Sequence, residues 1–128
     1  MDLVERVGSS ALWSRARSAD RLLTETPFAA LVGPDILPDP LDQPDPVPDG
    51  PRVLEGVIDL AFREPDGWVI ADYKTDVGTD PGFPLRRAAY RRQVDLYARA
   101  WEVVTGEPVK ERILLFTARP GGAALEAW

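Results

Sequence analysis

A stretch rich in proline and aspartate divides this chain and limits what can form on either side of it. Residues 34–51, "PDILPDPLDQPDPVPDGP", contain seven of the thirteen prolines. Proline has no amide hydrogen to donate to a helix or a sheet interior, so an extended, flexible loop is expected here. We therefore expect a single domain over residues 1–128, with a short structured segment before the loop and a longer one after it.

The composition narrows the kinds of site that the chain can build. Among its 128 residues there is no cysteine and no histidine, which excludes disulfides, thiolate nucleophiles, imidazole bases and the usual zinc sites. Any metal must be held by oxygen atoms, which favours magnesium, manganese or calcium. No apolar run is long enough to span a bilayer and the start lacks a secretory signal, so a cytoplasmic protein is expected.

The formal charge of -6 argues at first against a nucleic-acid partner, but its distribution changes that conclusion. Five of the 21 acidic residues are aspartates of the loop, so the rest of the chain carries 16 acidic and 15 basic side chains. A solvated surface is the simpler interpretation of any charged run. The alternative is that a basic segment follows a DNA backbone, and the candidates are Arg86, Arg87, Arg91 and Arg92.

Hydrophobic periodicity predicts the elements on both sides of the loop. Before it, a helix is expected from about Ser10 to Leu23, stopped by Pro27 and followed by a short strand, "FAALV". After it, we expect a β-hairpin, an amphipathic helix, a strand buried on both faces and an edge strand or frayed terminus. These are "RVLEGVIDLAF" with "WVIADYKT", "LRRAAYRRQVDLYARAWEVVTG", "VKERILLFTA" and "ALEAW". The order indicates a mixed α/β sandwich.

Two opposite charges occupy alternate positions of the second hairpin strand. Asp72 and Lys74 therefore share one face, whereas Ala71 and Tyr73 share the other. Hairpin pairing would bring Asp59 of the first strand opposite Asp72, and two converging carboxylates repel unless a cation lies between them. A magnesium ion, which needs few protein carboxylates, would resolve this conflict. An exposed cross-strand ion pair is the alternative interpretation.

The amphipathic helix adds two polar candidates on one face. Gln93 and Tyr97 are four residues apart and therefore stack on the same side of the helix. The Gln93 amide is flanked by core positions and needs partners, such as a substrate phosphate or a metal-bound water. Tyr97 either packs in the core or contacts substrate. Lys74 would orient or deprotonate the attacking water and stabilise charge on phosphorus.

The blocks "EGVIDLAF", "DGWVIADYKTD" and "YRRQVDLYARA" resemble conserved motifs of the PD-(D/E)XK nuclease superfamily. More narrowly, they are similar to the RecB/AddA-type nuclease domain of bacterial recombinational-repair helicases. The resemblance extends over about residues 21–116. It implies a restriction-endonuclease-like α/β core, with a mixed central sheet flanked by helices in the order helix, three strands, helix, strand.

The resemblance also implies a role for each motif residue and a set of partners. Asp59, Asp72 and the backbone carbonyl of Tyr73 would bind Mg²⁺, for which Mn²⁺ could substitute. Lys74 would be the catalytic lysine, and Gln93 with Tyr97 would line the DNA channel. The implied activity is hydrolysis of DNA, at single-stranded ends delivered by a helicase in cis or by a partner helicase.

One family feature has no counterpart in this sequence. Members of the group usually carry a metal-binding histidine on an N-terminal helix, and this chain contains no histidine. We therefore expect either the C-terminal fragment of a larger helicase-nuclease or a degenerate site. The second case would be a catalytically silent module that binds DNA or docks on a helicase partner. A hydrolase directed at nucleotides or RNA is a third interpretation of the same scaffold.

Overall fold

The computed structural model describes residues 3–33, 52–118 and 124–128, with side chains from residue 11 onward. The predicted flexible loop at 34–51 lies outside the described residues. None of the described helices is long and apolar enough to cross a membrane. The elements are α1 (Leu3–Ser18), β1 (Arg21–Val32), β2 (Arg52–Glu64), β3 (Gly67–Lys74), α2 (Phe83–Thr105), β4 (Val109–Phe116) and β5 (Ala124–Ala127).

The five strands form one mixed sheet in the order β1-β2-β3-β4-β5. The pairs β1–β2, β2–β3 and β4–β5 are antiparallel, whereas β3 and β4 are parallel. A parallel pair requires a crossover connection, and α2 supplies it. The predicted α/β core with a mixed sheet and flanking helices is confirmed, as are the hairpin, the long helix, the buried strand and the edge strand.

The helix α2 covers one face of the sheet. Its buried side chains, which include Val94, Ala98 and Trp101, pack against residues of all five strands or their termini. The helix ends at Gly106, whose φ of 70° is the left-handed conformation that glycine adopts without steric cost. The N–H of Gly106 donates to Glu102 O and satisfies one of the last helical carbonyls. This packing fixes α2 across the strand that carries the candidate site.

The helix α1 covers the opposite face. Leu12 and Ala16 pack with Leu60, Phe62 and further apolar residues of β2, β3 and β4. The strand β4 contributes to both layers, because Ile113 belongs to the cluster under α1 while its neighbour Leu114 belongs to the cluster under α2. The prediction that β4 is buried on both faces is therefore confirmed.

The N-terminal helix begins and ends earlier in the chain than its sequence predicts. It ends at Ser18 rather than at Leu23, and the residues from Arg21 onward belong to β1. The main-chain N–H of Asp20 donates to Arg63 O at 2.9 Å, and the pairing with β2 begins at the next residue. Pro27 does not follow a helix but lies within β1, an outermost strand, where a missing amide hydrogen is tolerated. Tertiary pairing with β2 overrides the local helical pattern.

The regular alternation of side chains between the two faces of the sheet is broken once in β1, at Glu25, and once in β2, at Asp59. Ile58 and Leu60 are two residues apart, yet they belong to the clusters on opposite faces of the sheet. The register of β1 and β2 places Glu25 opposite Asp59. Glu25 has a φ of 47°, the only positive φ of a non-glycine residue in the described part of the chain. The break in the alternation of side chains thus lies at the predicted metal ligand Asp59 and at the residue opposite it.

Candidate active site

The carboxyl groups of Asp59 and Asp72 meet on neighbouring strands. Asp59 lies opposite Asp72, one position beyond the Leu60–Ala71 pair of the hairpin. In addition to burial, the Asp59 carboxyl group raises the pKa of Asp72, so the two groups are close enough to interact electrostatically. Asp59 Oδ2 also accepts a hydrogen bond of 2.8 Å from the main-chain N–H of Tyr73. The structure therefore brings both carboxyl groups and the main chain of Tyr73 to one place.

The environment of Asp72 disfavours its charge. Burial raises the pKa of Asp72 above its ordinary value, and the neighbouring Asp59 carboxyl group raises it further. The Lys74 ammonium opposes this shift but does not overcome it, although its Nζ lies 2.9 Å from Asp72 Oδ2. Asp72 Oδ2 is buried and accepts no hydrogen bond of good geometry. Its contact with Lys74 is therefore an ion pair without a well-aligned hydrogen bond. A pair of carboxylates in this setting favours binding of a further cation.

Lys74 is held from the side of α2 as well. Its Nζ donates a hydrogen bond of 3.0 Å to Gln93 Oε1 and lies 4.8 Å from the centroid of the Tyr90 ring. Gln93 thus has the polar partner that its position among core residues required. Sequence analysis missed Tyr90 as a contact of Lys74. The available signal was its place three residues before Gln93, on the same side of the helix.

Tyr97 lies in the packing between α2 and the outer strands. Its ring meets the ring of Phe28 edge to face, with centroids 5.0 Å apart. The ring also lies against the backbone of Gly56. The sequence predicts that Tyr97 either packs in the core or lines a DNA channel. The structure shows the packing, and the contact with DNA stays a prediction.

The arginines at the start of α2 have acidic partners. Arg86 binds Asp76 and Asp80, and Arg87 and Arg91 both contact Glu126 of β5. Arg86 lowers the pKa of Asp76, and the hydrogen bond from Tyr90 adds to this effect. Arg92 is exposed and also has intramolecular interactions. Contact of these four side chains with DNA stays a prediction.

The donor set suits a hard cation. Within the described residues, no group of three or more acidic, histidine or cysteine side chains could hold a metal ion. The predicted ligands are accordingly two carboxylates, Asp59 and Asp72, and one main-chain carbonyl, that of Tyr73. Mg²⁺ keeps several waters and needs only one or two protein carboxylates, and Mn²⁺ prefers the same oxygen donors. The buried Oδ2 of Asp72, which has no hydrogen bond, is an atom that such an ion would satisfy.

The sequence and the fold are both similar to known proteins. A family model of the PD-(D/E)XK nuclease superfamily matches residues 2–125. An ATP-dependent helicase/nuclease protein of Heliobacterium modesticaldum is 40% identical over 111 residues, which cover 82% of this chain and 8% of that protein. The protein of the same name from Carboxydothermus hydrogenoformans is 35% identical over 114 residues, 88% of this chain and 9% of that protein.

A solved structure supports the fold. The protein described as "Crystal structure of SSO0001" matches 97% of this chain and 48% of its own, with a TM-score of 0.51 and 16% identity. At that identity the match concerns the fold alone. The curated relatives carry the sequence similarity, although this chain spans less than a tenth of the length of the two named above. The match of the family model over nearly the whole chain shows that this protein belongs to the PD-(D/E)XK nuclease superfamily.

Proposed function

We propose that this chain is the metal-dependent nuclease domain of a RecB/AddA-like recombinational-repair helicase and that it hydrolyses phosphodiester bonds in DNA. The observation that carries the proposal is the convergence of Asp59 and Asp72 beside Lys74 in a half-buried site. The relatives are ATP-dependent helicase/nuclease proteins, which supports a helicase in cis or as a partner. Single-stranded DNA ends are the proposed substrate, and the chain is proposed to be a fragment of such a longer protein.

The residues of the proposed site are of two kinds, metal ligands and the positively charged Lys74. Asp59, Asp72 and the main-chain carbonyl of Tyr73 would hold Mg²⁺, or Mn²⁺ in its place. When bound, the ion supplies Lewis-acid polarisation of the phosphodiester and lowers the pKa of a water that serves as nucleophile. The buried environment of Asp72 strengthens every interaction between charges there, because the effective dielectric constant is below that of water.

Lys74 provides positive charge on the side of the site that faces α2. Its ammonium group is held by Gln93 Oε1 and lies beside Asp72, so it is oriented before any substrate arrives. A preorganised ammonium can stabilise the negative charge that develops on the phosphate oxygens in the transition state. It can also donate a proton or a hydrogen bond to an oxygen of the reacting group. Gln93 contributes by restricting the rotamers of the lysine.

The second candidate is a catalytically silent module that binds DNA or docks on a helicase. It is favoured by the small donor set, since no third acidic side chain joins the two aspartates within the described residues. It is also consistent with the acidic partners of Arg86, Arg87 and Arg91, which reduce the positive potential available to DNA. The two candidates differ in metal binding and in turnover.

The test combines calorimetry with a cleavage assay. We expect wild-type protein to bind Mn²⁺ and to degrade single-stranded DNA with Mg²⁺. Asp72→Ala should abolish both and Lys74→Ala should abolish cleavage, while circular dichroism stays unchanged. Asp66→Asn is the matched control, because Asp66 lies at the hairpin turn with a side chain 73% exposed. No heat of metal binding in the wild type would favour the silent module, and equal cleavage by the wild type and the variants would reject the assignment.

A further inference from the structure

A continuous series of contacts leads from the loop after β3 to the Lys74 ammonium group. Arg86 donates to Asp76 from two nitrogens, Nε at 2.7 Å and Nη2 at 3.0 Å. Asp76 Oδ2 accepts a hydrogen bond of 2.8 Å from the Tyr90 hydroxyl group. The face of the Tyr90 ring lies 4.8 Å from Lys74 Nζ. Each member of the series thus restrains the next.

The far end of the series is rigid. The side chain of Asp76 is only 9% exposed, and its Oδ1 also accepts a hydrogen bond from the N–H of Gly78. Arg86 binds Asp80 as well and closes the loop between β3 and α2 around itself. A bidentate arginine–carboxylate pair has a fixed geometry. The Tyr90 hydroxyl group is therefore bound to a point that does not move independently of the loop.

At the other end of the series is the Lys74 ammonium group, whose position matters for the reaction. Lysine has four rotatable side-chain bonds, so a third contact restricts the ammonium group further than Asp72 and Gln93 do alone. An aromatic face attracts an ammonium group, and the attraction is larger where water is excluded. The side chain of Lys74 is 21% exposed, so this contact lies in a largely desolvated setting.

We propose that Tyr90 is a positioning residue that places the Lys74 ammonium for reaction, with Asp76 and Arg86 as its support. The inference rests on the proposed nuclease function. It also assigns to Arg86 a role different from contact with the DNA backbone. A support acts on the rate of the chemical step, whereas a phosphate contact acts on DNA affinity and its salt dependence.

The kinetic test compares two substitutions of Tyr90 in the full chain. Tyr90→Leu removes the ring and should lower kcat by about tenfold or more, while KM stays within about twofold of the wild type. Tyr90→Phe keeps the ring and loses only the hydrogen bond to Asp76, so it should restore kcat to within about threefold of the wild type. Leu85→Ala is the control on the same helix, because Leu85 is 80% exposed, and it should leave both constants unchanged. Equal kcat values for Tyr90→Leu and the wild type would overturn the proposal, and so would a Tyr90→Phe variant as impaired as Tyr90→Leu.

A spectroscopic readout separates this inference from the proposed function. The ring current of Tyr90 should shift the ε-methylene protons of Lys74 upfield in the NMR spectrum, and Tyr90→Leu should remove that shift. If the wild type does not cleave DNA, the proposed function fails, yet the ring-current shift still decides whether Tyr90 holds Lys74. Absence of the shift in the wild type would overturn the inference even in an active nuclease.

Arg86→Gln tests the support. It should lower kcat by no more than about threefold, as Tyr90→Phe does, because both changes weaken only the hydrogen-bonded support of the ring, and the affinity for DNA should keep its wild-type dependence on salt concentration. A weaker affinity together with a shallower salt dependence would show that Arg86 contacts phosphate, and it would overturn its assignment as a support.

Discussion

The ring of Tyr97 lies against the backbone of Gly56, so that a β-carbon on Gly56 would come within 2.7 Å of Tyr97 Cζ. The contact joins two of the sequence blocks that carry the family resemblance. Gly56 is three residues before Asp59, and Tyr97 is four residues after Gln93. The glycine therefore leaves the space in which the Tyr97 ring lies against β2.

Replacement of Gly56 by alanine should destabilise the protein. The added methyl group would lie 2.7 Å and 2.8 Å from Tyr97 Cζ and Oη and 2.9 Å from Phe28 Cε1, so both rings would have to shift. Such overpacking costs about 1 to 3 kcal/mol, which urea denaturation would measure. Val57→Ala at the next position, where the side chain is 50% exposed, should change the free energy of unfolding by less than about 0.5 kcal/mol. Equal stability of Gly56→Ala and the wild type would show that the rings are free to move.

Removal of the Glu126 charge should strengthen DNA binding if the arginines of α2 contact phosphate. Arg87 Nε donates to Glu126 Oε2 at 2.9 Å, and Arg91 Nη1 lies 3.5 Å from Oε1. Glu126→Gln would release both guanidinium groups from a negatively charged partner. We expect a several-fold gain in affinity for single-stranded DNA and a steeper salt dependence between about 50 and 200 mM salt, measured by fluorescence anisotropy without divalent metal.

Asp66→Asn is the control for this prediction, because it changes the net charge by the same amount at the exposed hairpin turn. A general electrostatic effect would raise the affinity equally in both variants. No change in either variant would indicate that DNA does not approach Arg87 and Arg91.

The contact between α1 and the hairpin should make the fold sensitive to acid. The hydrogen bond from Arg15 lowers the pKa of Glu64 from 4.5 to about 2, in spite of its partial burial, and Lys110 adds to this shift. A carboxyl group with a lowered pKa stabilises the fold fully above its unfolded value, and the contribution is lost as the pH falls from 4.5 through 2. Because the pair is partly exposed, we expect a loss of about 1 kcal/mol.

Denaturation of the wild type and of Arg15→Met at several pH values measures this contribution. The difference in unfolding free energy between the two proteins should shrink as the pH falls from about 6 to about 2.5, because protonation of Glu64 removes the interaction that the variant lacks. A difference that stays constant over that range would mean that Arg15 stabilises the fold by packing alone.

Glu107 should be required for the packing of Trp68. The indole Nε1 of Trp68, a residue only 1% exposed, donates to Glu107 Oε1 at 3.2 Å, and Arg63 Nε donates to Oε2 at 2.7 Å. Glu107→Leu would leave a buried N–H without an acceptor, which lowers stability. We expect a lower Tm for Glu107→Leu and a smaller decrease for Glu107→Gln, which keeps an oxygen. Equal Tm values for the two variants would show that the indole finds another acceptor.

The sequence predicts most of the sheet because its signals are local. The hairpin follows from alternation and a Pro-Asp-Gly turn, and α2 follows from apolar residues at helical spacing and a terminal glycine. The first half of β1 is not predicted, because Leu22 and Leu23 fit a helical pattern equally well. Pairing with Phe62 and Ala61, some forty residues along the chain, decides between the two.

The site shows the same division between local and distant causes. The shared face of Asp72 and Lys74 follows from the two-residue period of a strand. The acidic partners of the arginines cannot be predicted in this way. Glu126 lies 39 residues from Arg87 and comes close to it only because of the order of the strands in the sheet. The contact between Tyr90 and Asp76 is equally hard to predict, since it depends on the path of the loop that brings Asp76 beside the Tyr90 hydroxyl group.

The simultaneous change of face at Glu25 and Asp59 makes this part of the chain intolerant of length variation. Deletion of Glu25 alone would leave Leu23 and Phe28 on one face of a regular strand, but it would move part of β1 one residue out of register with β2, whose own change of face at Asp59 would remain. Natural or engineered variants should therefore gain or lose residues here only in pairs, one in each strand. A compensating deletion of Asp59 would repair the pairing but would remove the proposed metal ligand, so one carboxylate would limit changes of length in both strands.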